Sequence, residues 1–254
     1  MILPYNKDRK ILNTSLFIIG ILLFAGLLIY CFHVKEDILY KEGRSFYEKS
    51  KFQEAYKCFL EAAVQGNAGA QTDLGYLYEM GLGTRKNIDE ALYWYHEAAI
   101  RGSSRAKSNY ACLLEKQDKY YEAFTWLEEA AREGYVQAKL RLGCLYIMGK
   151  GVDKNIKKGY EIIREAAEGG SPGAQHLMGV YNQFGLNIPD GSGVKINLEE
   201  AEKWYNKAIK QNYILSKSAL ALLWAEKGIN LDEAKNIAEE AVRKYPQVGS
   251  CSDA

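Results

Sequence analysis

The chain has 254 residues, enough for one or two compact domains, and its 48% hydrophobic and 26% charged composition is typical of a folded protein. A net charge of +1 argues against binding of nucleic acid through bulk electrostatic attraction. The five cysteines form no Cys-x-x-Cys pair and no even framework, which argues against a zinc site or a disulfide scaffold.

The first distinctive segment is an apolar run from Leu16 to Phe32 that contains no charge and no proline. With residues 11–15 it is long enough to cross a hydrocarbon core of about 30 Å as a helix, and it lacks the polar stripe of a soluble helix. It is long for a cleaved signal peptide and ends without a small-residue cleavage site. We therefore predict an uncleaved signal anchor over residues 11–34, inserted in the lipid bilayer.

Charges beside this run predict its orientation. A basic cluster lies at residues 7–10, whereas Lys35 on the other side is followed by two acids. The positive-inside bias places residues 1–10 in the cytoplasm and the residues after 34 outside. For a bacterial protein this means a single pass through the inner membrane, with the repeats in the periplasm. Cys31 follows a segment that faintly resembles a lipoprotein cleavage box, but the bulky Tyr30 argues against lipidation.

Beyond residue 35 the sequence repeats itself. The segment LGYLYEMGLG, Leu74–Gly83, returns as LGCLYIMGKG, Leu142–Gly151. Pairs of small residues recur at steps of 36, 32, 36 and 42 residues: Ala62-Ala63, Ala98-Ala99, Ala130-Ala131, Ala166-Ala167 and, more loosely, Ala208-Ile209. Self-similarity at such a period is the signature of helical repeat proteins.

Each repeat is predicted to contain two helices. The first carries Ala-x3-Leu-Gly-x2-Tyr, as from Ala70 and again from Ala138, and these spacings place the residues on one helical face. A glycine inside a helix costs about 1 kcal/mol relative to alanine, so its recurrence predicts close approach of the second helix. The second helix begins at an asparagine that can act as N-cap: Asn87, Asn155, Asn197 and Asn230.

The Gly-x-Gly that ends each copy of the decapeptide could be a phosphate loop or a corner. A phosphate loop follows a strand and opens directly into a helix. Here Gly81 and Gly83 follow a helix, and Asn87 starts the next helix four residues later. We therefore predict a tight corner that needs left-handed backbone.

The pattern resembles the Sel-one-like repeat, a relative of the tetratricopeptide repeat. The match to A-x3-L-G-x2-Y-x2-G-x-G … A-x2-W-Y-x2-A-A-x2-G is close from Ala70 to Gly102 and nearly as close from Ala138 to Gly170. The resemblance implies an all-α fold, a right-handed α-solenoid of about six helix-turn-helix repeats, with a concave face lined by the first helices. It spans residues 35–246, after the transmembrane helix and before a C-terminal tail, 247–254.

Signals for catalysis, metals and cofactors are weak, and we predict neither enzyme activity nor a cofactor. Ser104-Arg-Ala-Lys107 matches S-x-x-K, but no SDN or KTG follows, and Ser104 is expected to cap a repeat helix. No histidine has a metal-binding partner at i+3 or i+4. Asp190-Gly-Ser-Gly lacks the ligand alternation of a calcium loop and is expected to be a polar insertion. Cys112 and Cys144 occupy equivalent positions of neighbouring helices, about 8–10 Å apart, too far for a disulfide.

A partner-binding surface is the favoured functional prediction. Projected on the tetratricopeptide pattern, the outward residues of the first helices include ten candidates: Tyr76, Glu79, Glu115, Leu140, Ile147, Met148, His176, Val180, Gln183 and Phe184. The later members are less polar than a solvated face, and exposed apolar patches often mark interaction sites. The alternative is that the insertion after Gly185 or the last repeat covers this patch.

Three functions remain open on the sequence alone. The leading one is a membrane-anchored adaptor or assembly factor that binds protein partners through the concave surface. The second is an immunity protein that neutralises a secreted antibacterial effector such as a phospholipase, a role known for some bacterial relatives. The third and least favoured is a β-lactamase-like or cell-wall hydrolase.

Overall fold

The computed structural model describes residues 35–244, with side chains throughout except at 238 and 240–244. The predicted cytoplasmic segment, the anchor over residues 11–34, Cys31 and the predicted tail lie outside this range. Within it, none of the helices combines the length and apolarity needed to cross a bilayer.

The described chain is α-helical except for one antiparallel bridge, which confirms the predicted all-α class. The helices are α1 (35–48), α2 (Phe52–Val64), α3 (Ala68–Met80), α4 (Ile88–Ile100), α5 (Ser104–Lys116), α6 (Tyr120–Arg132), α7 (Val136–Met148), α8 (Ile156–Glu168), α9 (Pro172–Phe184), α10 (Leu198–Ile209), α11 (Ile214–Lys227) and α12 (Leu231–Lys244). They pack pairwise as in solenoids of the tetratricopeptide type. The right-handed course of the solenoid stays a prediction.

The chain divides into two compact units, which are described separately. The described part of unit 1, residues 35–106, packs α2 on α3 and α3 on α4 around a core that includes Phe59, Leu74 and Leu77. Unit 2, residues 107–244, packs consecutive helices from α6 to α12, with α11 also contacting α9. Among the described side chains of this unit, the core comprises three clusters, one for each successive pair of repeats.

The glycine inside the first helices lets the second helix approach closely, as predicted. A Cβ built on Gly75 would lie 2.7 Å from the ring of Tyr95 in the partner helix, and one on Gly143 would lie 2.5 Å from Ile163. Both partner side chains are fully buried, so neither can move aside. The interior glycine therefore lowers the helix propensity of the first helix but leaves room for a large side chain of the second helix.

The repeated Gly-x-Gly is a corner, and the second glycine has a packing role that the sequence did not reveal. Gly81 and Gly149 end α3 and α7 in left-handed conformation, with φ of 73° and 68°. A Cβ on Gly83 would lie 2.1 Å from the carbonyl oxygen of Phe52, at the start of α2. In unit 2 the equivalent glycine rests in the same way on the carbonyl of Tyr120, at the start of α6. Each corner thus seats on the second helix of the preceding repeat.

Three of the four predicted asparagine caps are confirmed. The side-chain oxygens of Asn87, Asn155 and Asn197 accept backbone N–H groups of the first turn of α4, α8 and α10. Asn230 differs, because its φ of 47° is left-handed whereas the other three are extended. The predicted cap of α5 was displaced by one residue: Ser104 is the first helical residue, and the hydroxyl of Ser103 accepts the N–H of Ala106.

The insertion between α9 and α10 is a small hairpin. Leu186 and Val194 exchange two backbone hydrogen bonds of 2.8 and 3.0 Å, and Ile188 is buried beneath. The carboxylate of Asp190 accepts the N–H and hydroxyl of Ser192 and pairs with Lys157 at 2.9 Å. Asp190 therefore fixes a turn, in agreement with the predicted polar insertion.

Candidate partner-binding surface

In unit 1 the outward side of the first helices is organised around a buried acid. Asp73 of α3 is 6% exposed, and its two carboxylate oxygens meet Arg105 of α5 at 2.6 Å and Arg44 of α1 at 3.5 Å. Tyr40 also hydrogen-bonds to this carboxylate, and burial followed by the charge of Asp73 raises the pKa of its hydroxyl. We call the residues Arg44, Asp73 and Arg105 the arginine pair site. Both arginine side chains remain about 40% exposed, and their ion pairs with Asp73 fix the positions of the guanidinium groups.

Two tyrosines border the arginine pair site. The rings of Tyr47 and Tyr76 lie 6.4 Å apart edge to face, and the guanidinium of Arg44 lies 5.8 Å from the centre of the Tyr47 ring. Tyr76, a predicted partner-binding residue, is half-buried at this position. Glu79, also predicted, accepts a 3.0 Å hydrogen bond from the hydroxyl of Tyr95 in α4, which ties its carboxylate to the second helix.

In unit 2 the equivalent face of α5 and α7 has the opposite central charge. Arg141 donates one guanidinium N–H to Glu115 at 3.2 Å and another to the sulfur of Cys112 at 2.9 Å. Burial raises the pKa of Glu115 by more than Arg141 lowers it. Burial also raises the pKa of Cys144 to about 11. Cys112 and Cys144 are both free thiols, and Cys144 stays protonated at neutral pH.

Three of the predicted apolar contact residues are partly buried and pack against core clusters. Leu140 packs where a Cβ on Gly173 of α9 would lie, 2.9 Å away, and Ile147 occupies the corresponding space beside Gly159 of α8. Val180 packs against the cluster formed by α10, α11 and α12. Glycine leaves room for the neighbouring helix beside Leu140 and Ile147, and all three side chains are partly buried, so their role in partner binding stays a prediction.

Two predicted polar residues tie helices together. His176 of α9 lies 3.1 Å from the hydroxyl of Ser216 in α11, and its ring contacts those of Tyr205 and Tyr213 in tilted geometry. Burial lowers the pKa of His176, which favours the neutral ring. Gln183 is buried; it donates to Glu226 of α11 and accepts from the hydroxyl of Tyr205 in α10, both at 2.8 Å.

Two of the predicted apolar residues lie at the ends of first helices and are exposed. Met148 and Phe184, at equivalent positions of α7 and α9, are 49% and 57% exposed. Ile196 of the insertion is also exposed and lies beside Gly185. Met148 and Phe184 are thus the exposed members of the predicted apolar set.

The S-x-x-K sequence places its lysine in an ion-pair network. The ammonium of Lys107 contacts Glu133 at 2.5 Å and Glu129 at 3.1 Å. Burial lowers the pKa of Lys107, but the two glutamates raise it by more, so that the net shift is upward. A lysine that serves as a general base requires the opposite shift. Among the described residues, no group of histidine, cysteine and carboxylate side chains is placed to hold a metal ion.

Sequence reasoning missed Arg44, Asp73, Arg105 and Arg141, which give the two faces their chemistry. A signal was present: Asp73 stands where the second copy of the repeat has Arg141, and it lies between residues of the buried face. A charge at a position that faces neighbouring helices requires a partner from them.

Comparisons with known proteins agree with this architecture. The model of the Sel1 repeat matches residues 38–67, 68–103, 113–135, 136–171 and 172–213, together more than half of the chain. A Sel1 repeat protein from Oxalobacter formigenes has a similar fold, with a TM-score of 0.68 and 24% identity over 82% of this chain and 88% of that one.

Two further similarities are more limited. The immunity protein Pa5087 from Pseudomonas aeruginosa has a TM-score of 0.54 and 21% identity over 73% of this chain and 69% of that one. The chitin synthase regulatory factor 4 of Schizosaccharomyces pombe is 48% identical over 56 residues, which are 22% of this chain and 8% of that protein. The family is shown by the repeat matches, and the chain belongs to the Sel1 repeat family.

Proposed function

We propose that this chain is a protein-interaction scaffold, an adaptor or assembly factor that binds partner segments on its first-helix faces and has no catalytic activity of its own. The arginine pair site, flanked by Tyr47 and Tyr76, is the observation that carries the proposal. Arginine and tyrosine are the side chains that most often dominate binding energy at protein interfaces. Since Asp73 holds both guanidinium groups in place, the arginine side chains lose less conformational entropy when a partner binds them.

The test uses a photo-crosslinking amino acid at Tyr76, with Tyr93 as matched control. Tyr93 is an exposed tyrosine of the same unit that lies on the second helix α4. In living cells, Tyr76 should give an adduct of discrete mass and Tyr93 should not. Arg44→Ala should remove the Tyr76 adduct. Equal adducts at both positions, or an adduct unaffected by Arg44→Ala, would contradict binding at this face.

The proposed location is a bacterial inner membrane, with residues 11–34 as the anchor and the repeats in the periplasm. The proposal rests on the charge-free run and on the basic cluster before it. A reporter enzyme that is active only in the periplasm, fused after residue 40, should be active. The same reporter fused before residue 11 is the control and should be silent. The reverse pattern would invert the orientation.

A second candidate function is immunity against a secreted antibacterial effector, such as a phospholipase. The similar fold of the immunity protein Pa5087 is the observation that favours it. Expression of this chain in a sensitive strain should protect it from an effector encoded by a neighbouring gene, and the purified chain should bind that effector tightly. Binding of an envelope protein without protection would favour the adaptor.

A hydrolase remains the least favoured candidate. The upward-shifted pKa of Lys107 and its two glutamate partners oppose a role as base for Ser104. A hydrolytic activity that disappears in Ser104→Ala would revive this candidate.

A further inference from the structure

The outer side of the last described repeat carries an apolar groove. It runs between α11 and α12, has a volume of 510 Å³, and is lined by Ser218, Ala221, Leu222, Ala225, Leu231, Ala234 and Lys235. The opposite side of α11 is buried against the preceding repeat through Leu220, Leu223 and Trp224. The two sides of this helix therefore have the same apolar character, although one of them is open to solvent.

The groove continues the interface by which successive repeats stack. In the preceding repeat, α11 covers His176, Val180 and Gln183 of α9. The residues 42 positions later, at the same step as the repeat, are Ser218, Leu222 and Ala225, which line the groove. These positions are the ones that a following first helix covers elsewhere in unit 2. We therefore expect these positions to pack against a helix as well.

The residue spacing also indicates a helix as occupant. Along α11 and its C-terminal turn, the outer positions are 215, 218, 222, 225 and 229, at alternating steps of three and four. This is the spacing of a helix–helix seam. Leu222 and Leu231 are 54% and 57% exposed, and both line the groove.

We propose that a second copy of this chain fills the groove, so that α11 and α12 of two copies pack against each other about a two-fold axis. The groove is self-complementary in size: Ser218, Ala221, Ala225 and Ala234 make its floor of small residues, and the exposed leucines rise beside it. In a two-fold contact the leucines of each copy enter the floor of the other. Such isologous pairing is the commonest form of homo-oligomer.

Charge at the rim fits the same arrangement. Lys235 lies on the rim, and the acidic pair Asp232 and Glu233 precedes it in the exposed first turn of α12. Asp232 lies about one turn before Lys235 on the same side of α12, so a two-fold contact can bring the lysine of each copy toward this acid of the other. The groove belongs to α11 and α12, whereas the proposed scaffold function rests on the arginine pair site, so the existence of this interface does not depend on that function.

The experiment measures the protein mass per particle of the full chain in detergent, by light scattering with the detergent contribution subtracted. We expect a dimer Kd of about 10 µM, so at protein concentrations well above this value each wild-type particle should contain two chains. Leu222→Asp should halve the mass. Ala225→Trp, which fills the floor while keeping both leucines, should also halve it.

Val64→Asp is the matched control, because Val64 is an exposed apolar residue of α2 in unit 1. This variant should remain dimeric, and circular dichroism should give the same helix content for every variant. A monomeric wild type would overturn the proposal and point to another occupant, either a segment of this chain or a helix of another protein. A dimer that persists in Leu222→Asp or Ala225→Trp would also overturn it, since another surface would then hold the copies together.

Discussion

The first-helix faces of the two units are built on one repeat but have inverted charges at their centres. In unit 1 an acid, Asp73, is buried and two arginines from neighbouring helices lie above it. In unit 2 the same repeat position holds Arg141, whose partners are a glutamate and a thiol. The scaffold thus keeps its glycines, caps and corners while each face acquires its own recognition chemistry. If partners bind these faces as proposed, we expect an acidic segment to prefer unit 1 over unit 2.

The largest expected effect tests whether the scaffold is the same in both units. Gly83→Val and Gly151→Val should each destabilise the protein by about 3 kcal/mol or more, since a side chain would collide with a backbone carbonyl and adopt a left-handed φ. Urea denaturation followed by circular dichroism measures both. Gly228→Asn is the control and should cost less than about 1 kcal/mol, because Gly228 has a left-handed φ of 67°, no atom lies within 4 Å of a Cβ built there, and asparagine tolerates left-handed backbone. A large loss in only one unit would break the equivalence.

The second effect tests the inversion of charge. Asp73→Ala should cost about 2 kcal/mol, a value reduced from that of a fully buried pair because both arginines are partly exposed. Arg141→Ala should cost about 1 kcal/mol, since Arg141 is itself partly exposed. Asp73→Asn should fall between wild type and Asp73→Ala. If Arg141→Ala cost more stability than Asp73→Ala, the central acid of unit 1 would not contribute more to stability than the central arginine of unit 2.

The smallest expected effect is a pH dependence of stability that arises from His176 in unit 2. Burial lowers the pKa of His176 in the folded state, so the unfolded chain binds more protons as pH falls through the ordinary histidine value of about 6.5. Stability from the neutral ring is present above that pH and is lost below it. His176→Gln retains an amide opposite Ser216, and its Tm should fall less than that of the wild type between about pH 7.5 and 5.5. Hydrogen exchange should place the difference in α9 and α11, and an equal fall in both proteins would contradict the assignment.

The fold was predictable because its signals are local. The Asn caps, the interior glycines and the Gly-x-Gly corners each lie within a few residues of what they determine. The faces were only partly predictable, because their contacts join distant residues. Asp73 is 29 residues from Arg44 and 32 from Arg105, and Leu140 is covered because Gly173 in the next repeat has no side chain. A repeat pattern gives the direction of a side chain but not what the neighbouring helix leaves room for.

The seat of each corner has a consequence for how such chains change. Gly83 and Gly151 touch the carbonyl oxygens of Phe52 and Tyr120, groups that every amino acid carries. The packing of the corner therefore does not depend on which residue supplies the carbonyl, and the two repeats do have different residues at this position. A joint made from main chain alone lets repeats be duplicated, exchanged or altered without rematching side chains at each new junction. Diversification can then proceed on the faces while the modules remain interchangeable.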